Sequence, residues 1–473
     1  MRRVVPLSVV VFASLFLVAA SDARASSCSG DLDFSGAVDG ADLTLLINSW
    51  GTAECDITGD QVVDGADLGA LMSSWGPCPQ AEEWSLVTAL GGTTTIALDA
   101  GGNTAKTWTG AANGASVGYL RPDGSLVRPC VYASGALIAG GRGGRIQIFN
   151  PAGVLTNDLI VATATTQQHH DIRPMPNGNI LCLVWDQRTV AEQTAAGRQS
   201  VNGLLWSEQI LEIRPTGMST YEVVWQWKAW DHLIQDVAPT AANFGVVADH
   251  PELLDVNFST ATTPTDWIHL NSIDYNPVRD EIVISSRSWS EVWVIDHSTT
   301  SAQAASHSGG ARGRCGDILY RWGNPLAYRR GGSAERDLFV CHSATWVPVG
   351  LPGAHDILIF NNGDRTGAAN DWSQVVQVAP ARSASGDYVV PVSGEFSPPS
   401  PSWSHGSPSG FYGGATQCGA FRTLDNTTLI MLTNSGTLFE VNAAGATVAT
   451  RTLSGNVARV PRYRLVGGVW VGP

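Results

Sequence analysis

The stretch 172-IRPMPNGNIL-181 reads as a strand, a Pro/Asn/Gly turn and a second strand. The same form recurs at 119-YLRPDGSL-126, 273-IDYNPVRDEIVI-284 and 420-AFRTLDNTTLI-430. Each copy is followed by a second hairpin, at 145-RIQIFNPAGVL-155, 209-QILEIRPTGM-218, 291-EVWVIDHST-299 and 437-TLFEVNAAGATV-448. Short β-rich runs broken by Gly, Pro, Asn and Asp, with no sustained helical period, indicate an all-β fold. Four strands per recurring unit indicate the blades of a β-propeller. The units recur at irregular intervals, so periodicity does not set the number of blades. This domain is expected over residues 80–473.

In a propeller the innermost strands surround an axial cavity, and residues at their starts converge from distant parts of the chain. Aligning the units by their turns puts His170, His342 and, within two residues, His269 and Asn271 at equivalent inner-strand entrances. Adjacent side chains on a strand point to opposite faces. Either His169 or His170 is therefore expected to face the axis, and the two are not expected to share a metal ion.

The chain has 473 residues, 44% of them hydrophobic, which allows one large and one small domain with buried cores. A net charge of −14, with Lys106 and Lys228 as the only lysines, argues against a nucleic-acid surface, which needs basic patches to neutralise phosphates. Arg2 and Arg3 precede an apolar run from Val4 to Ala20, and Ala23-Arg24-Ala25 supplies small residues for cleavage. Residues 1–25 therefore read as a secretory signal peptide, which makes the mature chain periplasmic, cell-surface or extracellular. No later run has the length of a membrane span. Eight cysteines in an exported chain permit disulfides without fixing their pairing.

Residues 26–79 contain a duplication: 30-GDLDFSGAVDGADLTLLINSWG-51 and 56-DITGDQVVDGADLGALMSSWG-76. Oxygen ligands at alternate positions suit a loop curled round a hard cation. They are Asp31, Asp33, Ser35, Asp39 and Asp42 in the first copy, and Asp56, Thr58, Asp60, Asp64 and Asp67 in the second. This is the 1, 3, 5, 9, 12 spacing of a calcium loop. Gly36 occupies the sharp turn of the first loop and Gln61 that of the second, so the second is expected to bind calcium less well. Aspartate at the twelfth position followed by a short Leu-rich helix resembles the dockerin type I repeat. That resemblance implies a small α-helical attachment module with structural calcium, docking to a protein or cell-surface partner.

The segments 169-HHDIRPMPNGNIL-181, 225-WQWKAWDHLIQD-236, 267-WIHLNSIDYNP-277, 282-IVISSRSWSEVWVID-296, 320-YRWGNP-325 and 357-ILIFNNG-363 resemble the bacterial arylsulfotransferase family over most of residues 85–465. The resemblance implies a six-bladed propeller that moves a sulfuryl group from an aryl sulfate to a phenolic acceptor through a sulfohistidine, without a nucleotide cofactor. It places the nucleophile at His342 in 341-CHSATW-346, where the family usually has Gln before the histidine and often Asp after it. It matches His269 and Asn271 to a His-x-Asn pair, with Arg287 eighteen residues beyond His269, and His170 to the remaining histidine. Positioning and charge stabilisation dominate sulfuryl transfer, by analogy with phosphoryl transfer. A guanidinium can hold two sulfonate oxygens, and imidazole can act as nucleophile or proton carrier. The expected roles are attack by His342, proton transfer by His269 or His170, and oxyanion contacts from Asn271 and Arg287.

Other stretches have simpler readings. Trp225 and Trp227 are expected to pack between blades, with Trp230 or His232 able to line a mouth. His355 reads as solvent-facing and 397-SPPSPSWSHGSPSG-410 as a long loop with no strand. The stretch 101-GGNTAKT-107 lacks the Gly before Lys106 that a phosphate-cradling loop requires, and the Cys/Ser-x-Pro-x-Arg signature of formylglycine sulfatases is absent. A propeller without activity, acting as a ligand-binding scaffold displayed by the small module, is the alternative to the enzyme.

Overall fold

Two nine-residue helices, Gly40–Asn48 and Gly65–Ser73, begin where an aspartate stops the preceding loop. Asp39 and Asp64 accept from the backbone of Ala41 and Ala66, and each closes a capping box with Asp42 or Asp67 three residues on. Val38, Leu46, Val63 and Leu71, equivalent positions in the two copies, are fully buried together. A short antiparallel pair, Ala37–Val38 with Gly76–Pro77, ties the ends of this unit. The structure is a computed structural model that describes residues 30–33, 37–53, 55–77, 82–258, 265–365 and 371–473. The expected signal peptide, Ser35 and Gly36 lie outside those residues. The chain divides into two compact units between Ala81 and Glu82.

The second unit is a six-bladed β-propeller. Five blades are four-stranded antiparallel sheets in sequence order, and they begin at Tyr119–Leu120, Thr166–Pro174, Leu270–Asn276, His342–Trp346 and Gly419–Arg422. The remaining blade, counted as the first because Glu83–Thr88 opens the unit, joins its two ends: Arg462–Val466 pairs with Glu83–Thr88, which continues into Thr94–Leu98 and Thr104–Thr109. This sheet has five strands because Val469–Val471 folds back on Arg462–Val466. The pairing of the unit's first and last segments closes the ring of blades. The first strands of the third, fourth and fifth blades pack on one another around the axis.

Trp225 and Trp227 are buried between blades, their indole N–H groups bonded to the Thr299 hydroxyl and the Gly316 carbonyl, as alternation predicts. Three expectations need correction. The segment 397–410 contains a strand, Trp403–His405, which completes the fifth blade against Gln374–Val378 because its Trp-Ser-His core is free of proline. The run 291–299 is one strand, Glu291–Asp296, and its partner Tyr320–Trp322 arrives only after a long connection. His355 is half-buried, since its Nδ1 accepts the Asn276 amide at 2.8 Å.

Candidate active site

Three inner strands carry a β-bulge at the same height. Pairing with the second strand slips between Gln168 and Ile172, between Leu270 and Ser272, and between His342 and Thr345. At these bulges His170, His269 and Ser343 take left-handed backbone angles, with φ of 48°, 54° and 55°. A bulge re-aims side chains that strict alternation would send to opposite faces, and left-handed backbone at a non-glycine residue marks sites the surrounding fold holds under strain. The expectation that His169 and His170 point apart is therefore wrong. Their Nδ1 atoms lie 2.9 Å from each other.

His342 sits in the most informative hydrogen-bond network. Asn362 donates its Nδ2 to the carbonyls of Gly414 and Gln417, at 2.8 and 3.0 Å. Carbonyls only accept, so the opposite end of the amide, Oδ1, must face His342 Nδ1, 2.7 Å away. Nδ1 therefore carries the proton, an assignment that the Val340 carbonyl at 3.2 Å supports. Nε2 is left with its lone pair, which accepts the Gln417 amide N–H at 3.1 Å. Burial, with the Arg287 guanidinium adding to it, pushes His342 down to about 3. The ring is neutral at physiological pH.

The residues flanking His342, Cys341 and Ser343, are structural. Cys341 is fully buried, and burial pushes its thiol up to about 12, which makes it an inert filler. Ser343 bonds through its hydroxyl to the backbone of Ala420. Asn271 was expected to contact the anion, but its amide is taken up otherwise: Nδ2 donates to the Cys341 carbonyl at 2.8 Å and Oδ1 accepts the Ser285 hydroxyl. It fixes the peptide that presents His342.

Around that ring lie the other predicted residues. His170 and His269 meet edge-to-face with centroids 4.7 Å apart. His269 Nδ1 lies 2.6 Å from Asp266 Oδ2. The half-buried Arg287 stands in the turn after the second strand of the same blade, where its backbone N–H bonds to the His269 carbonyl and its guanidinium reaches the Ala415 carbonyl at 3.3 Å. Burial lowers its pKa, with Asp364 and Asp266 opposing. Behind His170, His169 stacks on Trp185 at 4.3 Å and reaches Glu208 at 2.8 Å. Burial penalises charge on both partners, holding His169 down to about 3 and Glu208 well above the usual carboxylate range. A neutral pair follows: Glu208 donates to His169 Nε2, His169 Nδ1–H donates to His170, and Nε2 of His170 keeps the proton. Gly141 makes room for that ring, because a Cβ there would lie 2.0 Å from it.

One step along the same strands, the axis is filled by ion pairs: Arg459 with Asp171 at 2.7 Å and Arg173 with Asp274 at 2.8 Å. Tyr119 donates to Asp171 as well. Sequence reasoning missed Asn362, Gln417, Asp266 and Glu208. Asn362 stood inside the quoted 357-ILIFNNG-363 without a role, and nothing local marks a backbone amide such as that of Gln417.

The sequence model of the arylsulfotransferase (ASST) family matches residues 113–389. The chain belongs to the arylsulfotransferase family. The matched span contains His170, His269, Arg287, His342 and Asn362, whereas Gln417 and Arg459 lie beyond it. Among solved structures, the chain is similar to a protein of unknown function from Bacteroides caccae, with 11% identity over 80% of this chain and 98% of that one and a TM-score of 0.41. It is similar to the β-propeller domain of Cps50 (Swd1) from Myceliophteria thermophila, with 9% identity over 82% and 99% and a TM-score of 0.38. It is also similar to the periplasmic gluconolactonase PpgL of Pseudomonas aeruginosa, with 14% identity over 80% and 99% and a TM-score of 0.37. Likeness at this level says nothing about chemistry. No curated protein matches.

In the small unit, carboxylates of Asp31, Asp33 and Asp42 converge within 4.8 Å, as do those of Asp56, Asp60 and Asp67. Asp42 and Asp67 also draw their loops in, accepting from Leu32, Asp33 and Asp39 and from Ile57, Thr58 and Asp64 respectively. These backbone bonds hold Asp67 down to about 2. The expected ligands Asp39 and Asp64 cap the two helices, and Thr58 donates to Asp56 at 3.3 Å. Two converging all-oxygen sets fit a hard cation such as calcium. Among the described residues, no helix is long and apolar enough to cross a membrane, and Cys55, Cys130, Cys182, Cys315, Cys341 and Cys418 are free thiols.

Proposed function

We propose that the protein is a nucleotide-independent arylsulfate sulfotransferase that works by a ping-pong route through a sulfohistidine on His342. The observation that carries this reading is the Asn362 amide, whose orientation puts the His342 proton on Nδ1 and leaves Nε2 neutral and basic. In the first half-reaction Nε2 attacks the sulfur of the aryl sulfate, and the bond from sulfur to the aryl oxygen breaks. Attack requires Nε2 to release the Gln417 amide, a 3.1 Å bond from a residue with φ of 57°. The freed N–H then faces the sulfuryl oxygens together with the Arg287 guanidinium. His269, oriented by Asp266, gives its proton to the departing phenolate. In the second half-reaction His269 takes the proton of the acceptor phenol, whose oxygen attacks the sulfuryl sulfur and releases His342. His170, donating through Nε2, binds a sulfonate oxygen, while Asn271 positions His342 through the Cys341 carbonyl.

The test is mass spectrometry of protein quenched after 4-nitrophenyl sulfate alone. A sulfuryl adduct on the peptide carrying His342 is the expected result, with nitrophenolate turnover appearing only when a phenol is added. Turnover without any adduct, undiminished in His342→Ala, would sink the proposal.

The small unit supports a second part of the reading: a dockerin-like attachment module on an exported enzyme. Asp31, Asp33 and Asp42, and Asp56, Asp60 and Asp67, would hold calcium, which supplies charge neutralisation that keeps each loop closed. Chelation is expected to loosen the two helices while leaving propeller melting unchanged. Identical helix content with and without chelator would refute it.

A further inference from the structure

The connection between the third and fourth blades and the long connection inside the fourth meet away from the bulged strands. The first supplies His232, at the end of a short turn, Ala229–His232. The second, between Glu291–Asp296 and Tyr320–Trp322, supplies His307 and Asp317. His232 is fully buried, and its ring lies parallel to Trp227, 5.5 Å away. Its Nε2 meets the Ala304 carbonyl at 2.9 Å, so Nε2 carries a proton. Its Nδ1 is then aimed at Asp317 Oδ1, only 2.7 Å away. The same oxygen lies 2.8 Å from Nδ1 of His307. A neutral His232 would set a lone pair against a carboxylate unless a proton or a metal ion is shared between the two. The competing arrangement protonates His232 and leaves a buried ion pair.

The three ligand atoms lie within 4.8 Å of one another, and His307 and Asp317 line a cavity of about 770 Å³ where His250, Glu252, Trp230 and Phe244 also stand. We propose that His232, His307 and Asp317 form a site for a divalent first-row transition metal, with zinc the fitting ion, open on one side to this cavity. Two imidazoles and one carboxylate suit zinc, cobalt or manganese, whereas calcium and magnesium take oxygen ligands. Metal–ligand bonds of about 2.0–2.2 Å place tetrahedral ligands about 3.3 Å apart. With the two pairs at 2.7 and 2.8 Å, binding asks the Asp317 carboxylate to swing away from the buried His232 and the half-exposed His307 to move outward. Three protein ligands leave a coordination position for water or for a group held in the cavity. Such a site is separate from sulfuryl transfer and does not depend on it.

The experiment uses the full chain, stripped of metal and then saturated with calcium so that the acidic loops are filled, and titrates cobalt(II) followed by zinc. One equivalent of cobalt with ligand-field absorption, displaced by zinc, is expected. His307→Ala, at a half-exposed position the fold tolerates, should weaken binding at least about tenfold, as should Asp317→Asn. His342→Ala separates this site from the channel imidazoles and should bind as the native chain does. Absence of a cobalt band, or binding unchanged in both His307→Ala and Asp317→Asn, would overturn the site and leave the buried ion pair.

Discussion

At the residue scale, catalysis is a question of which nitrogen of His342 holds the proton. Asn362 decides it, and its two bonds to carbonyls leave it no freedom to turn. Asn362→Ala should lower kcat by on the order of a hundredfold with little change in KM, because the ring loses its fixed tautomer while substrate contacts persist. Asn362→Asp still accepts from Nδ1 but sets its second oxygen against the Gly414 and Gln417 carbonyls, so it should recover part of the loss on mild acidification, where that oxygen carries a proton to donate. Steady-state kinetics with 4-nitrophenyl sulfate separate these outcomes, and equal loss in both variants would show that Asn362 only supports the fold.

At the element scale, the histidine cluster is a product of the bulges. Strict alternation was the wrong rule for 169-HHDI-172, and the error is physical: one residue with left-handed backbone reverses the side from which the next side chain leaves the strand. Histidine is tolerated in that conformation more readily than β-branched residues. Ser343, buried with φ of 55°, tests the point. Ser343→Val should destabilise the protein by on the order of 2 kcal/mol, whereas Ser343→Gly, which meets no Cβ penalty, should cost less. Equal denaturation midpoints for the two variants would remove strain as the explanation.

At the scale of the whole molecule, several buried imidazoles make stability depend on pH. His342 and His170 are depressed in the fold by burial, whereas unfolded histidine titrates near about 6.5. Below about pH 6.5 the unfolded chain binds protons that these two refuse, so stability falls on acidification. His169 and Glu208 act against each other, since burial lowers the imidazole and raises the carboxyl. Above about pH 6.5 the sign reverses. His297, held up to about 9 by Asp280 and Glu212 against burial, retains a proton that the unfolded chain has lost. Thermal midpoints should therefore peak near about pH 6.5, and a monotonic rise from about pH 5 to about pH 9 would contradict these assignments.

The hairpins were legible along the chain because strand periodicity and turn chemistry are local, and the duplicated aspartates because a cation loop is built from near neighbours. His342, His269, His170 and Arg287 were reachable through motifs that also follow short-range order. The partners that give them their chemistry were not. Asn362, the Gln417 amide, Asp266 and Glu208 act across blades or through backbone atoms, and the closure of the ring by Arg462–Val466 on Glu83–Thr88 joins the two ends of the propeller. Pattern along one strand fixes what a segment can form, but a tautomer or a buried charge depends on contacts whose loop-closure cost only the assembled ring repays.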